Sequence, residues 1–183
     1  MAKSLDLIRH GQSTFNATYA ETGLDPFEED ARLTELGRRQ VSETRAILAE
    51  RNYDLVITSP LTRAIETTLG LFAGREVPII VEALHREKLE HSCDFGRSPA
   101  ELACEFPDLA FDHLDDPWWY LEVAEGVGIV AEPQAVFLDR VAGFDAWIRA
   151  REEPAVAVVG HGTFFRNWSG QSFQNCEVVT INL

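Results

Sequence analysis

Leu5-Asp6-Leu7-Ile8-Arg9-His10-Gly11 is a short apolar run that stops abruptly at arginine, histidine and glycine. Near the other end, Ala155-Val156-Ala157-Val158-Val159 runs into Gly160-His161-Gly162 in the same way. A brief apolar run bounded by turn residues reads as a strand, and one apolar at every position reads as a strand buried on both faces of a parallel sheet. Ligands of such sheets bind beyond the carboxyl ends of the strands. Both Arg9-His10-Gly11 and Gly160-His161-Gly162 stand at such ends, so two histidines far apart in sequence are candidates for one site.

Between these runs, strand and helix patterns alternate. Thr34 offers an N-cap for a helix to about Arg51, with Leu36, Val41, Ile47 and Leu48 as its inward side. Asp54 to Thr58 reads as a strand, and Ser59-Pro60 as the start of a helix ending near Gly74. Val77 to Val81 is a third strand. Ser98-Pro99-Ala100-Glu101 has capping-box spacing. Residues 132–150 form an amphipathic helix, and Val178 to Ile181 a last strand. Residues 12–33, with Gly23 and Pro26 and no clear period, read as a loop overhanging the site. The pattern predicts an α/β fold with three α/β/α layers and a mostly parallel central sheet. The expected organisation is one domain over 1–183, with a cap-like insertion at about 107–128 where the sequence turns acidic and aromatic.

With 183 residues, 45% of them apolar and 25% charged, the chain has the composition of an ordinary globular domain. Its formal charge of −14 repels phosphate backbones and anionic lipid, which disfavours nucleic acid and membrane surfaces as partners. Any phosphate it binds must meet a local basic pocket, and its basic residues are 14 arginines against two lysines, Lys3 and Lys88. Asp6 interrupts the N-terminal apolar stretch, which is too short for a signal peptide or a membrane span, so a cytoplasmic location is expected. Cys93, Cys104 and Cys176 are odd in number and irregularly spaced, which suits reduced thiols rather than a disulfide framework.

The residue types around the two histidines suit a phosphoryl group. Glycine after His10 lets a backbone N–H come close to an anion, Arg9 supplies a fixed charge, and Arg63, one turn into the helix after the second strand, adds another. Leu7-Ile8-Arg9-His10-Gly11-Gln12-Ser13 with Asn16 resembles the signature of the histidine phosphatase superfamily, which includes the phosphoglycerate mutases. Leu33-Thr34-Glu35-Leu36-Gly37 with Gln40, Thr58-Ser59-Pro60-Leu61-Thr62-Arg63-Ala64 with Thr67, and Val158-Val159-Gly160-His161-Gly162 are similar to its later motifs, in order along the chain.

The resemblance implies a phosphoglycerate mutase-like fold and a metal-independent acid phosphatase with no cofactor. It makes His10 the nucleophile that is transiently phosphorylated, with Arg9, Arg63 and His161 holding the phosphoryl oxygens and Asn16, Gly11, Ser13 and Gly162 lining the substrate. Leu84-His85-Arg86-Glu87 resembles a plant, fungal and bacterial subset of the family in which the residue matching Glu87 is the proton donor. Glu90 and Asp94 lie in the same polar stretch and remain alternatives for that role.

The expected partner is a small phosphate ester, and oligomeric state stays open. Lys88-Leu89-Glu90-His91 after Glu87 departs from the mutase pattern, and the chain is shorter than the glycolytic mutases, so hydrolysis is expected over mutase-type transfer. A non-catalytic phosphate- or phosphopeptide-binding domain is a second reading, and a metal hydrolase a third. His85, His91 and His113, with Asp94 and Asp112, lack zinc-site spacing and read as polar loop residues. Trp118, Trp119 and Tyr120 either wall the substrate or pack a cap down.

Overall fold

A computed structural model describes residues 3–122 and 129–183. The runs that end in histidine form β1, Ser4–Arg9, and β4, Ala155–Gly160. They are neighbours in a five-stranded sheet of order β3-β2-β4-β1-β5, with β2 at Leu55–Thr58, β3 at Ile79–Val81 and β5 at Val178–Asn182. All pairings are parallel except that of β5, which runs antiparallel along β1 at the edge. Arg9 stands opposite Gly160, and Thr58 opposite Val159. His10, His161 and Ser59 therefore leave three adjacent strands at one level.

Period-two alternation sorts the strand side chains into two cores. Leu5, Leu7, Ile57, Val156 and Val158 face Phe137, Phe144 and Ile148 of α5 (Gln134–Ala150) and Phe164 and Phe165 of α6 (Gly162–Ser169). Ile8, Val56, Ala157 and Val159 face the opposite layer, where Val41 of α2 (Glu35–Ile47) and Leu71 of α3 (Thr62–Leu71) lie. The expected three-layer α/β/α architecture with a mostly parallel sheet is present. A third cluster joins Leu61, Ile65 and Val81 to Leu102 of α4 (Pro99–Glu105) and to Leu109, Phe111 and Trp118.

Several local expectations change. Residues 12–33 are not all loop: Thr14–Thr22 is a helix, α1, capped by reciprocal bonds between Ser13 and Asn16. Only Phe15 of this helix is buried, so its sequence carries no apolar period. Helix α6 starts where only a turn is expected, and α2 stops at Ile47 rather than near Arg51. Ser59 does not cap α3. The capping position is Leu61, and the N–H of Thr62 donates to Asp30 Oδ1 at 2.8 Å, so a distant loop supplies the cap. Arg63 is the second residue of that helix rather than a turn into it.

Within the 107–128 segment, residues 123–128 lie outside the described residues. Trp118 is buried against the third cluster and donates from its indole to Arg97 O at 2.9 Å. Trp119 packs edge-on against it at 5.3 Å between ring centroids, and the Tyr120 hydroxyl bonds to Glu122.

The loop after β1 and the start of α2 interlock through two glycines. A Cβ on Gly37 would stand 2.2 Å from Gln12 O, and one on Gly11 would stand 2.8 Å from Gly37 O. Gly37→Ala is expected to destabilise the fold by about 1–3 kcal/mol, as overpacking does. A urea denaturation midpoint indistinguishable from the parent would contradict this contact.

Candidate active site

Both histidines are held by the strand ends they follow. The His10 backbone N–H donates to Gly160 O at 3.0 Å, and its carbonyl accepts from Asn175 Nδ2 at 3.0 Å. The ring is buried, and Nδ1 lies 2.7 Å from Gly11 O. A carbonyl only accepts, so this contact assigns the proton to Nδ1 and leaves Nε2 with its lone pair. Burial, then Arg63 and Arg9, hold the His10 pKa well below the ordinary value, and the ring is neutral. It lines a cavity of about 110 Å³ together with Arg9, Asn16, Arg63 and Glu87.

His161 lies behind it, with ring centroids 5.2 Å apart, and is itself fully buried. Its Nε2 is 2.8 Å from Ser59 Oγ, which also accepts from Leu61 N–H at 3.4 Å. Its Nδ1 is a buried atom with no partner. Burial, Arg63 and His10 lower this pKa well below the ordinary value too.

Two arginines bring the charge. Arg63 is buried, with Nη2 donating to Asp94 Oδ1 at 2.9 Å and Nη1 donating to Cys93 O. Burial opposes its charge, but the nearby acids, Asp94 among them, outweigh that and raise its pKa. Arg9 Nη1 donates to Phe173 O at 2.7 Å, while its Nε is buried without a partner. Burial first, and Arg63 as well, lower the Arg9 pKa against the pull of Glu87.

The three candidate acids separate clearly. Asp94 accepts from Arg63 and, at 3.1 and 3.0 Å, from the N–H groups of Glu90 and His91, so its oxygens are committed to holding Arg63 and the turn. Glu90 is exposed and pairs with Lys88 at 2.7 Å. Glu87 is half-buried on the cavity wall. It accepts from the N–H groups of Lys88, Thr163 and Phe164, each at 3.0 Å, the last two at the start of α6. Those bonds favour the carboxylate, yet burial and the charge of Asp94 prevail and raise its pKa.

Other expectations divide. Asn16 lines the cavity, with Oδ1 accepting from Ser13 N at 3.2 Å. Ser13 is buried and spent on capping α1, not on substrate. The Gly11 N–H does not face an anion, because it donates to Thr67 Oγ1 at 3.0 Å; glycine is required there by the approach of Gly37. Gly162 lets Arg9 lie close, since a Cβ there would be 3.2 Å from Arg9 Nε. His85 is not a surface loop residue. It is buried under β4 with Nε2 3.0 Å from Val159 O, and burial lowers its pKa to about 4. Among the described residues, no group of three or more His, Cys, Asp or Glu side chains is arranged to hold a metal.

Sequence reasoning missed the supports. Arg140 of α5 donates to the carbonyls of Leu84, Arg86 and Glu87 and pairs with buried Glu132 at 2.6 Å, fixing the backbone that carries Glu87. Asp30, which caps α3, is braced by Arg97 at 2.8 Å. Nothing in the local sequence distinguishes these residues from a solvated helix face or loop.

A model of the histidine phosphatase superfamily, branch 1, matches residues 5–174. A phosphoglycerate mutase-like protein of Arabidopsis thaliana is 28% identical, covering 95% of this chain and 76% of its own length. A glucosyl-3-phosphoglycerate phosphatase of Mycobacterium tuberculosis is 28% identical over 88% of this chain and 71% of its own. Among solved structures, the mycobacterial glucosyl-3-phosphoglycerate phosphatase superposes with a TM-score of 0.66 at 20% identity, covering all of this chain and 91% of that one. The alpha-ribazole phosphatase of Shigella flexneri gives 0.66 at 16% identity, over 97% and 89%. No helix among the described residues is long and apolar enough to cross a membrane.

His10, His85 and His161 are neutral when folded but protonate near pH 6.5 when unfolded. The unfolded chain thus binds more protons below that pH, and stability is lost as pH falls from about 6.5 towards 5. Urea midpoints that stay flat over this window would contradict the buried neutral histidines.

Proposed function

Because the chain belongs to the histidine phosphatase superfamily, branch 1, we propose that it is a phosphomonoesterase that hydrolyses a small phosphorylated substrate through a phosphohistidine on His10, without a metal. One observation carries the reading: His10 Nδ1 is tied to Gly11 O, so the unprotonated Nε2 is left for attack in a cavity shared with Arg9, Arg63 and Glu87. The relatives named as phosphatases support hydrolysis, and the small cavity supports a compact phosphoryl site.

In the first step the Nε2 lone pair attacks phosphorus and the ester P–O bond breaks. The released oxygen takes the proton of the Glu87 carboxylic acid, so the alcohol leaves neutral. In the second step the Glu87 carboxylate removes a proton from water, whose oxygen attacks phosphorus. The N–P bond breaks, its electron pair returns to Nε2, and inorganic phosphate leaves with Glu87 protonated again.

Negative charge spreads over three equatorial oxygens during each transfer. Arg9 Nε is a buried donor with an unmet hydrogen bond, His161 Nδ1 is a buried ring nitrogen without a partner, and Arg63 is a buried cation held by Asp94. Donors fixed in advance need no reorganisation when the charge develops, which is why this site has the means to work without a Lewis acid.

Hydrolysis of p-nitrophenyl phosphate, followed from pH 4 to 8 with and without EDTA, tests the reading. EDTA-resistant turnover is expected that falls as pH rises through the raised pKa of Glu87, because the acid form is lost. Glu87→Gln is expected to lower kcat by about 10²–10⁴ and to remove that limb of the profile. EDTA-sensitive turnover would favour a metal hydrolase. Vanadate binding by an inactive protein would favour a phosphate-binding domain.

A further inference from the structure

Among the residues assigned to the chemistry, His10 and His161 directly follow strand ends, Arg9 closes β1, and Arg63 stands on α3. Glu87 has no such footing, because residues 82–91 form neither helix nor strand. A reacting group has to be held to within about 0.5 Å by a locked surrounding shell. An irregular turn has no ladder of backbone hydrogen bonds with which to lock itself, and its carbonyls must find partners elsewhere.

Arg140 and Glu132 supply those partners from outside the cavity, whose lining includes neither of them. The buried guanidinium grips the Glu132 carboxylate with two prongs, Nε to Oε1 at 3.0 Å and Nη2 to Oε2 at 2.6 Å. Its remaining N–H groups all go to the turn: Nη1 donates to Leu84 O at 2.9 Å and to Arg86 O at 2.8 Å, and Nη2 to Glu87 O at 3.3 Å. Glu132 grips the turn as well, its N–H donating to Leu89 O at 2.8 Å and its Oε1 accepting from Arg86 Nη2 at 3.4 Å. The chain is therefore held on both sides of Glu87. The Arg140 guanidinium also lies over the Phe164 ring, 5.8 Å from its centroid, and the Phe164 N–H donates to Glu87 Oε1. One side chain thus touches both the backbone of the acid and the helix start that holds its carboxylate.

A buried ion pair is weak evidence for stability, since apolar side chains of similar volume often replace one without loss. Apolar side chains cannot donate to three carbonyls. Resting on the phosphatase reading, in which Glu87 protonates the leaving oxygen, we propose that Arg140 and Glu132 are positioning residues that aim Glu87 at the leaving group.

The test compares kcat/KM for dinitrophenyl, p-nitrophenyl and phenyl phosphate in the wild type, in Arg140→Lys, and in Arg140→Met combined with Glu132→Leu. Lysine keeps the charge beside Glu132 but has a single nitrogen, too few donors for the carboxylate and three carbonyls. The double variant removes both charges together, so neither is left buried and unpaired. Dinitrophenolate leaves readily without a proton, whereas phenolate depends on the acid. Both variants are expected to lower kcat/KM for phenyl phosphate about 10²-fold, the size of a misplacement of about 1 Å. Dinitrophenyl phosphate should change little, p-nitrophenyl phosphate should fall between the two, and vanadate affinity, which reads the phosphoryl pocket, should be kept.

An equal fall for all three esters in the folded variants would assign the pair a structural role only and overturn the proposal. So would an unchanged kcat/KM for phenyl phosphate. Urea denaturation shows which variants are folded, and either one alone gives the same reading. Failure of the phosphatase reading itself shows separately, as no His10-dependent hydrolysis of any of the esters by the wild type, or as a Glu87→Gln protein whose loss does not grow from dinitrophenyl to phenyl phosphate.

Discussion

The parallel register of β1 on β4 is the constraint on which the rest depends. Arg9 opposite Gly160 sets His10 beside His161, and the register of β2 on β4 sets Ser59 next to them. Central parallel strands are apolar on both faces and covered by helices, so a slip of one residue would reverse every buried side chain. The position of the two rings is thus as secure as the core. A rigid scaffold of this kind fixes the two rings, while the loops and helix starts beyond the strand ends bring the charges.

Those charges are taken out of water, which is unfavourable unless each finds partners. Asp94 answers Arg63, and Glu132 answers Arg140. Among the described residues the buried polar side-chain atoms left without partners are Arg9 Nε, His161 Nδ1 and His85 Nδ1; Arg9 lines the cavity, and the His161 ring packs against that of His10. Burial, together with two nearby guanidinium groups, keeps both histidines neutral. The same burial that lowers the His10 pKa raises that of Glu87, and both side chains line one cavity.

Much of this was legible in the sequence. The strands and helices α2 and α5 announce themselves through apolar patterning, α3 and α4 through their Ser-Pro starts, and the residues Arg9, His10, Asn16, Arg63 and Glu87 do meet at one cavity. Helix α1 was hidden because it buries one side chain, and α6 because Gly162 reads as a turn when its N-terminal position is unknown. The choice among Glu87, Glu90 and Asp94 depends on how a polar segment folds back on Arg63 and on the start of α6, which no spacing rule encodes. Ser13 and Gly11 sit in the motif for reasons of packing and capping, although their neighbours suggest contact with substrate. Long-range braces such as Arg140 on the Glu87 backbone become visible only when the chain is folded.

The phosphohistidine on His10 is the central claim. Its most direct test is a rapid alkaline quench of the protein during turnover of an aryl phosphate, followed by mass spectrometric mapping of the phosphorylated peptide. Phosphate attached to His10, and absent from a His10→Ala protein that no longer turns over, is the expected result. Turnover without any phosphoenzyme, phosphate on a different residue, or activity that survives His10→Ala would contradict it.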